Sequence, residues 1–168
     1  MDDTVLSPSQ TPGPMYGFAL MFEGSERTVD EGSLGAVAIE GRILDGDGEP
    51  VAYPDALIEV WRGEQWARSR TDTEGTYRVV VSKPDAAELA GVGIEAPYLN
   101  VSVFARGLLR AAQTRLYFPD EESANAEDPV LQLVPPDRRH TLVAERSGDV
   151  LRFDIHLQGV GETVFFES

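Results

Sequence analysis

The sequence contains no cysteine, so disulfide frameworks, thiol nucleophiles and zinc–thiolate sites are all excluded. It contains two histidines, His140 and His156, without an H-x-H or H-E-x-x-H spacing. A metal site needs three or four convergent ligands, and two scattered imidazoles do not supply them. Basic residues are scarce: 14 against 29 acidic ones, for a net charge of −15. So acidic a chain excludes a nucleic-acid binder that works by neutralising phosphates, and argues against a binder of anionic membranes. No apolar run approaches the roughly 20 residues of a membrane helix. The opening Met1-Asp2-Asp3-Thr4 lacks the basic-then-apolar order of a signal peptide. These absences lead to the expectation of a soluble, cytoplasmic protein with no nucleic-acid and no membrane partner.

Its 168 residues suffice for one domain with a sizeable core. Sixteen glycines and eleven prolines punctuate it more than a helical bundle tolerates. Residues 1–35 read as an N-terminal arm and interface segment. Ser7-Pro8-Ser9-Gln10-Thr11-Pro12-Gly13-Pro14 cannot continue a helix or a central strand, because each Pro lacks an amide hydrogen and pushes its predecessor to extended geometry. Met15 to Phe22 is apolar, suited to a short strand or a packed extended segment.

Residues 36–168 carry the signals of a β-sandwich domain. Val37, Ile39 and Ile43-Leu44 lead into Asp45-Gly46-Asp47-Gly48, a turn whose residues accept positive φ. Ala56 to Trp61 has the length and β-branched content of a strand, and Thr71 to Tyr77 is a second turn feeding Tyr77 to Val81. Further strands are expected at Leu99–Ala105, Thr114–Phe118, Val150–Leu157 and Thr163–Phe166. Short helical pieces are expected at Asp85–Ala90 and Ser123–Leu133. Turn signals about every ten residues fit a sandwich or barrel. The fold class is all-β, a sandwich with an extended arm.

Charge is unevenly distributed. Carboxylates make up 29 of 168 residues, yet Ala96–Pro119 holds none and carries Arg106, Arg110 and Arg115 instead. The next longest such stretch is Thr4–Phe22 in the arm. One reading is a buried strand and an uncharged arm. The other is a surface that meets an anionic small molecule or a partner, since only local positive potential can hold an anion on so acidic a protein. His156 falls on the polar face of its strand and His140 in a loop after Asp137-Arg138-Arg139; both read as solvated. No G-x-S-x-G elbow is present. Trp61 and Trp66 read as core or interface. Taken residue by residue, the chain holds no self-sufficient catalytic site.

Several segments together resemble a known family. Ser9-Gln10-Thr11-Pro12-Gly13-Pro14-Met15-Tyr16 resembles the S-Q-T-x-G-P-x-Y opening of protocatechuate 3,4-dioxygenases. Gly41 through Val51 with Leu57 to Trp61 resembles that family's G-x-V-x-D-x-x-G-x-P-V…E-x-W hairpin, and Thr71 to Tyr77 its T-D-x-x-G-x-Y turn. Phe104-Ala105-Arg106-Gly107, Thr114 to Phe118 and Gly159 to Phe166 are similar to the α, non-iron, chain in particular. The hairpin and turn alone are shared with transthyretin-like binding modules, and a stand-alone module of that type without catalysis is the second reading.

The resemblance implies an intradiol dioxygenase. Its catalytic chains hold Fe(III) with two tyrosines and two histidines and cleave a catechol ring between its hydroxyls. In this chain Arg62–Arg70 and Ser82–Pro97 lack the ligand tyrosines, and Tyr98 and Asn100 stand where the family's H-x-H lies. These are vestigial ligand positions, so no metal and no catalytic residue is assigned to this chain. The resemblance thus implies an α subunit that pairs with a homologous iron-bearing β subunit in a hetero-oligomer of αβ units. It completes the partner's pocket for a small aromatic acid, protocatechuate, cleaved to 3-carboxy-cis,cis-muconate in aromatic catabolism. Carried over by position, the substrate-binding candidates are Thr11, Gly13, Pro14, Tyr16 and Arg106. A guanidinium fork at Arg106 suits a ring carboxylate, and Gly13 would let backbone approach a ligand closely.

Overall fold

The computed structural model of the chain describes residue 13 and residues 16–167, with Gly17 and Phe18 as backbone only. Thr11, Pro14 and Met15 lie outside the described residues. The strands in chain order are β1 (Ala36–Leu44), β2 (Ala56–Arg62), β3 (Gln65–Arg70), β4 (Thr76–Ser82), β5 (Ala87–Leu89), β6 (Gly93–Glu95), β7 (Tyr98–Ala105), β8 (Ala112–Tyr117), β9 (Glu145–Ser147), β10 (Val150–Arg152) and β11 (Ile155–His156). Two short helices, α1 (Tyr16–Ala19) and α2 (Glu122–Glu127), accompany them. Among the described residues no helix is long and apolar enough to cross a membrane.

Two sheets pack face to face. In the first, β1 pairs antiparallel with β4 on one edge and parallel with β10 and then β11 on the other, with β9 outside β10. The second runs β3-β2-β7-β8, antiparallel throughout. Strand alternation builds the core between them. Ile39, Ile43, Val79, Val81, Leu151 and Ile155 come from one sheet, and Ile58, Val60, Leu99, Val101, Val103 and Leu116 from the other. The first open corner between the sheets is closed by the chain leading into β1. Arg68 N–H donates to Ser25 O (2.6 Å), Val80 N–H to Glu26 O (2.9 Å) and Thr28 N–H to Val80 O (2.9 Å), so residues 25–28 bridge the edge strands β3 and β4.

Several expected elements differ. Asp85–Ala90 is no helix: Gly91 (φ +74°) turns the chain so that Ala87–Leu89 pairs with Gly93–Glu95 in the β5–β6 hairpin. The expected piece at Ser123–Leu133 is α2 followed by a 3-10 turn at Leu131–Leu133. Pro129 holds Asp128 extended (ψ 122°) and ends the helix there. Met15–Phe22 contains one helical turn rather than a strand. Gln65–Arg70 is a full edge strand, joined to β2 through Gly63 (φ +58°). Thr163–Phe166 forms no ladder and is joined to β8 by the Gln113–Phe166 bridge and by the Thr114 hydroxyl, which donates to Val164 O (2.7 Å).

The expected strand Val150–Leu157 is interrupted at Phe153-Asp154, for a reason that lies in β1. Phe153 N–H donates to Glu40 O (2.8 Å), and its carbonyl then turns over Gly41 to accept the buried Tyr77 hydroxyl. Burial holds the Tyr77 phenol well above its ordinary pKa, so it stays a donor. Asp154 takes up the displaced Arg42 N–H through its carboxylate (2.9 Å). A Cβ at position 41 would sit 1.8 Å from Phe153 O and 2.8 Å from the Tyr77 hydroxyl. The first contact is with backbone and cannot be relieved by a rotamer. Gly41→Ala should therefore cost about 1–3 kcal/mol or more, lowering the thermal midpoint by roughly 2–12 °C. Gly48→Ala, where nothing lies near the new methyl but φ is +81°, gives a strain-only reference. Differential scanning calorimetry of the two variants checks it, and a Gly41→Ala midpoint above that of Gly48→Ala contradicts it.

Candidate functional site

Strand β7 carries site candidates at both its ends. Leu99, Val101, Val103 and Ala105 face the core, so Tyr98, Asn100, Ser102 and Phe104 face outward by the period of two. Arg106 follows directly on the strand, about 27 Å along the chain from Tyr98 at 3.4 Å per residue. Sequence alternation puts these positions on one face; the fold divides them between opposite ends of the sheet.

At the Arg106 end, β7 and β2 meet. Ala56 pairs with Ala105, and Arg106 N–H donates to Asp55 O (2.7 Å). The Arg106 side chain is 75% exposed, with its Nη1 3.6 Å from Asp55 Oδ2. Tyr16, 5% exposed, lies at this same end and donates its hydroxyl to Ala56 O (2.8 Å). Burial pushes its pKa up to about 12, with Tyr53 adding to the rise, so near neutrality it is a neutral donor. Tyr16 N–H in turn donates to Gly13 O (3.2 Å), and Gly13 is exposed with open space around it. Arg70 lies over the half-open Tyr53 ring, 4.9 Å from its centroid. The structure thus brings Gly13, Tyr16 and Arg106 to one end of the sandwich. Tyr16 spends its hydroxyl internally and roots the arm there, whereas Arg106 and Gly13 face out.

At the other end sits a polar cluster that sequence reading did not anticipate. The Tyr98 ring is packed between two guanidinium groups, Arg62 and Arg115, each 3.8 Å from its centroid. Glu95, 5% exposed, gathers all three: Arg62 Nη2 (3.3 Å) and the Tyr98 hydroxyl (3.3 Å) donate to Oε2, and Arg115 Nη1 (2.8 Å) to Oε1. Arg115 also donates to the Tyr117 hydroxyl (3.3 Å), which donates to Asp128 Oδ1 (3.1 Å). Asp128 is fully buried and accepts the N–H groups of Ala96, Val130 and Leu131. A second apolar cluster of Ala96, Leu131, Val134 and Leu142 closes over the two tyrosines. Burial raises the pKa of Tyr98 even against the two neighbouring cations, and raises that of Tyr117 further.

These surroundings do not suit a ferric ion at Tyr98 and Asn100, the two positions expected from the sequence to stand in place of the family's H-x-H. Tyr98 keeps its proton and has both ring faces covered. Both Glu95 oxygens are engaged, and the Asn100 amide donates to Trp61 O (3.4 Å). Among the described residues no group of three or more His, Cys, Asp or Glu side chains is placed to hold a metal. His140 and His156 line a different hollow, with Glu145, Arg152 and Asp154.

Burial explains the carboxylate-free stretch. It comprises β7 and β8, of which Leu99, Val101, Val103, Leu116 and Tyr117 are almost fully buried. Carboxylates are absent because burying one without a partner is costly. Arg115 belongs to the Tyr98 cluster, and Arg106 and Arg110 are exposed in the connection between the strands. Arg62, Glu95 and Asp128 carried no sequence signal, since each is one charged residue among many and only the pairing of distant strands unites them.

Comparison with known proteins places this geometry in context. No family profile matches the chain. The protocatechuate 3,4-dioxygenase alpha chain of Burkholderia cepacia is 36% identical over 194 aligned positions, covering 96% of each chain. That of Pseudomonas putida is 34% identical with the same coverage. Among solved structures, a dioxygenase domain from Streptomyces sp. SirexAA-E superposes with a TM-score of 0.57 at 18% identity, covering 95% of this chain and 96% of that one. Hydroxyquinol 1,2-dioxygenase from Pseudomonas putida DLL-E4 gives 0.58 at 16%, covering 92% and 68%. The distant structures share the all-β sandwich. The two close relatives match along nearly the whole length, as a short transthyretin-type module would not. On these grounds the chain belongs to the protocatechuate 3,4-dioxygenase α-chain family, within the intradiol ring-cleavage dioxygenases.

Proposed function

We propose that this chain is the non-iron α subunit of a cytoplasmic protocatechuate 3,4-dioxygenase, with residues 1–35 serving as an interface arm and residues 36–168 as the sandwich that carries it. In this reading a homologous β subunit holds Fe(III), which supplies the redox chemistry of ring cleavage. This chain lends the pocket an edge. The observation that carries the reading is the gathering of Gly13, Tyr16 and Arg106 at one end of the sandwich in a chain 36% identical to an α chain over 96% of its length.

Each residue has a distinct part. Arg106 offers a planar, permanently charged fork, restrained on its backbone by Asp55 O and exposed at its head. It suits the carboxylate that distinguishes protocatechuate from catechol. Gly13 brings bare backbone to the same end. Tyr16 positions Gly13 through its buried hydroxyl bond, and so acts on substrate through the arm. Thr11 and Pro14 continue that arm as candidate contacts. A carboxylate bound beside Arg106 also meets the local positive potential that an anion needs on a chain of net charge −15.

Two experiments test this. Deleting residues 1–15, which keeps the buried Tyr16, should leave the thermal midpoint within a few degrees yet weaken assembly with the iron-bearing chain. Unchanged co-elution at low micromolar concentration contradicts the docking role of the arm. In the assembled enzyme, a charge-assisted hydrogen bond from Arg106 is worth roughly 1.5–3 kcal/mol. Arg106→Leu should therefore lower kcat/KM for protocatechuate about 10- to 150-fold and leave plain catechol nearly unchanged. Arg106→Lys should recover only part, because a point charge replaces a fork. Equal losses for both substrates in an intact assembly assign Arg106 a structural role instead.

A further inference from the structure

The residues at the vestigial ligand position are not merely a metal site with its ligands lost. Strand β7 begins at Tyr98, beside the end of β2 at Arg62, the end of β6 at Glu95 and the β8 residues Arg115 and Tyr117. Four separate strands are tied at this one point by side-chain contacts: Arg62 and Arg115 to Glu95, Tyr98 to Glu95, and both guanidinium groups to the Tyr98 ring. From Tyr117 the connection runs through Asp128 to the chain after α2. A metal held by side chains from several strands does the same mechanical work.

We infer that in this chain a guanidinium–carboxylate clamp, Arg62–Glu95–Arg115 around Tyr98, has taken over the cross-linking role of the metal and repels cations from that position. The inference rests on reading Tyr98 and Asn100 as the counterparts of the family's H-x-H. Two guanidinium groups press on one phenol, with a single carboxylate in direct contact, and a multivalent cation brought there would meet both positive charges at short range in a partly buried site. The carboxylate that could attract the cation has both oxygens committed. Cutting Glu95 takes from both guanidinium groups the one carboxylate they share, which makes the clamp cooperative.

The test uses the full-length chain with cobalt(II) and ferric salts as probes. The thermal midpoint of the wild-type chain should be unmoved by EDTA, by cobalt(II) or by ferric ion. Glu95→Gln should lower it by about 6–20 °C. Adding Arg62→Met to Glu95→Gln should restore part of that loss, because an unpaired guanidinium is then removed. For the repulsion, Tyr98→His with Asn100→His should gain no measurable cobalt(II) binding. The same pair combined with Arg62→Gln and Arg115→Gln should bind cobalt(II) at least tenfold more tightly, read from its visible absorption. A stoichiometric metal ion in the wild-type chain overturns the inference. So does a Glu95→Gln shift below about 2 °C, the least expected from losing even one kcal/mol, or equal cobalt(II) affinity in the two histidine variants. Should Glu95→Gln not fold, the Arg62→Met/Glu95→Gln chain must fold, or the clamp is no unit. These measurements need no partner, so failure of the chain to assemble with an iron-bearing homologue overturns the α-subunit reading separately.

Discussion

Strand β7 is covered on both sides over much of its length, and the placement of the charged groups around it follows from that constraint. Its inner face meets the other sheet through Leu99, Val101, Val103 and Ala105, and on its outer face Ser102 and Tyr98 are buried as well. A strand buried twice cannot carry carboxylates in its middle without partners for them. Chemistry is thereby pushed to its two ends. One end presents an arginine to solvent beside the root of the arm. The other holds its arginines against a tyrosine and a glutamate, under the cover of the chain from α2 to Leu142.

The two ends use the same residue type for opposite purposes because their dielectric surroundings differ. Arg106 is exposed and only loosely paired with Asp55, and a loose surface pair contributes little to stability. Its charge is therefore left facing solvent. Arg115 makes hydrogen bonds to Glu95 and Tyr117 and stacks on Tyr98. These bonds raise its pKa against the lowering effect of burial, so its charge is committed to the fold. A chain with a net charge of −15 thus offers positive potential where the backbone exposes it, and consumes it internally where the strands converge.

The root of the arm couples these features to the sandwich. Phe22 stacks on Trp66, with centroids 6.4 Å apart, and the Arg68 guanidinium lies over the same Trp66 ring while pairing with Glu59 and donating to Leu20 O (2.7 Å). Trp66 and Arg68 project outward from β3, the edge strand that residues 25–28 also bind. The chain that enters the sandwich is therefore fastened at Tyr16, at Leu20 to Phe22 and along 25–28 before β1 begins. Fastening at three points gives the preceding residues a fixed origin, which an arm needs if it is to contribute to a neighbour's pocket.

Short-range chemistry in the sequence determined the all-β class, the turns at Asp45–Gly48 and Thr71–Tyr77, and the inward face of β7, because alternation and turn preferences are local properties. The motifs Ser9–Tyr16 and Phe104–Gly107 pointed to the family, and the gap at Tyr98 and Asn100 to a chain without the usual ligands. Where locality failed, the sequence misled. Asp85–Ala90 looks helical until Gly91 folds it into a hairpin, and Gln65–Arg70 becomes a strand because β2 offers it an edge. The tertiary structure alone decided that Arg106 and Tyr98, on one face by alternation, stand at opposite ends, and that Tyr16 serves the backbone of Ala56. It alone assembled Arg62, Glu95, Arg115 and Asp128 around two tyrosines. Their union depends on strand register between segments far apart in the chain, and no local pattern of charge encodes it.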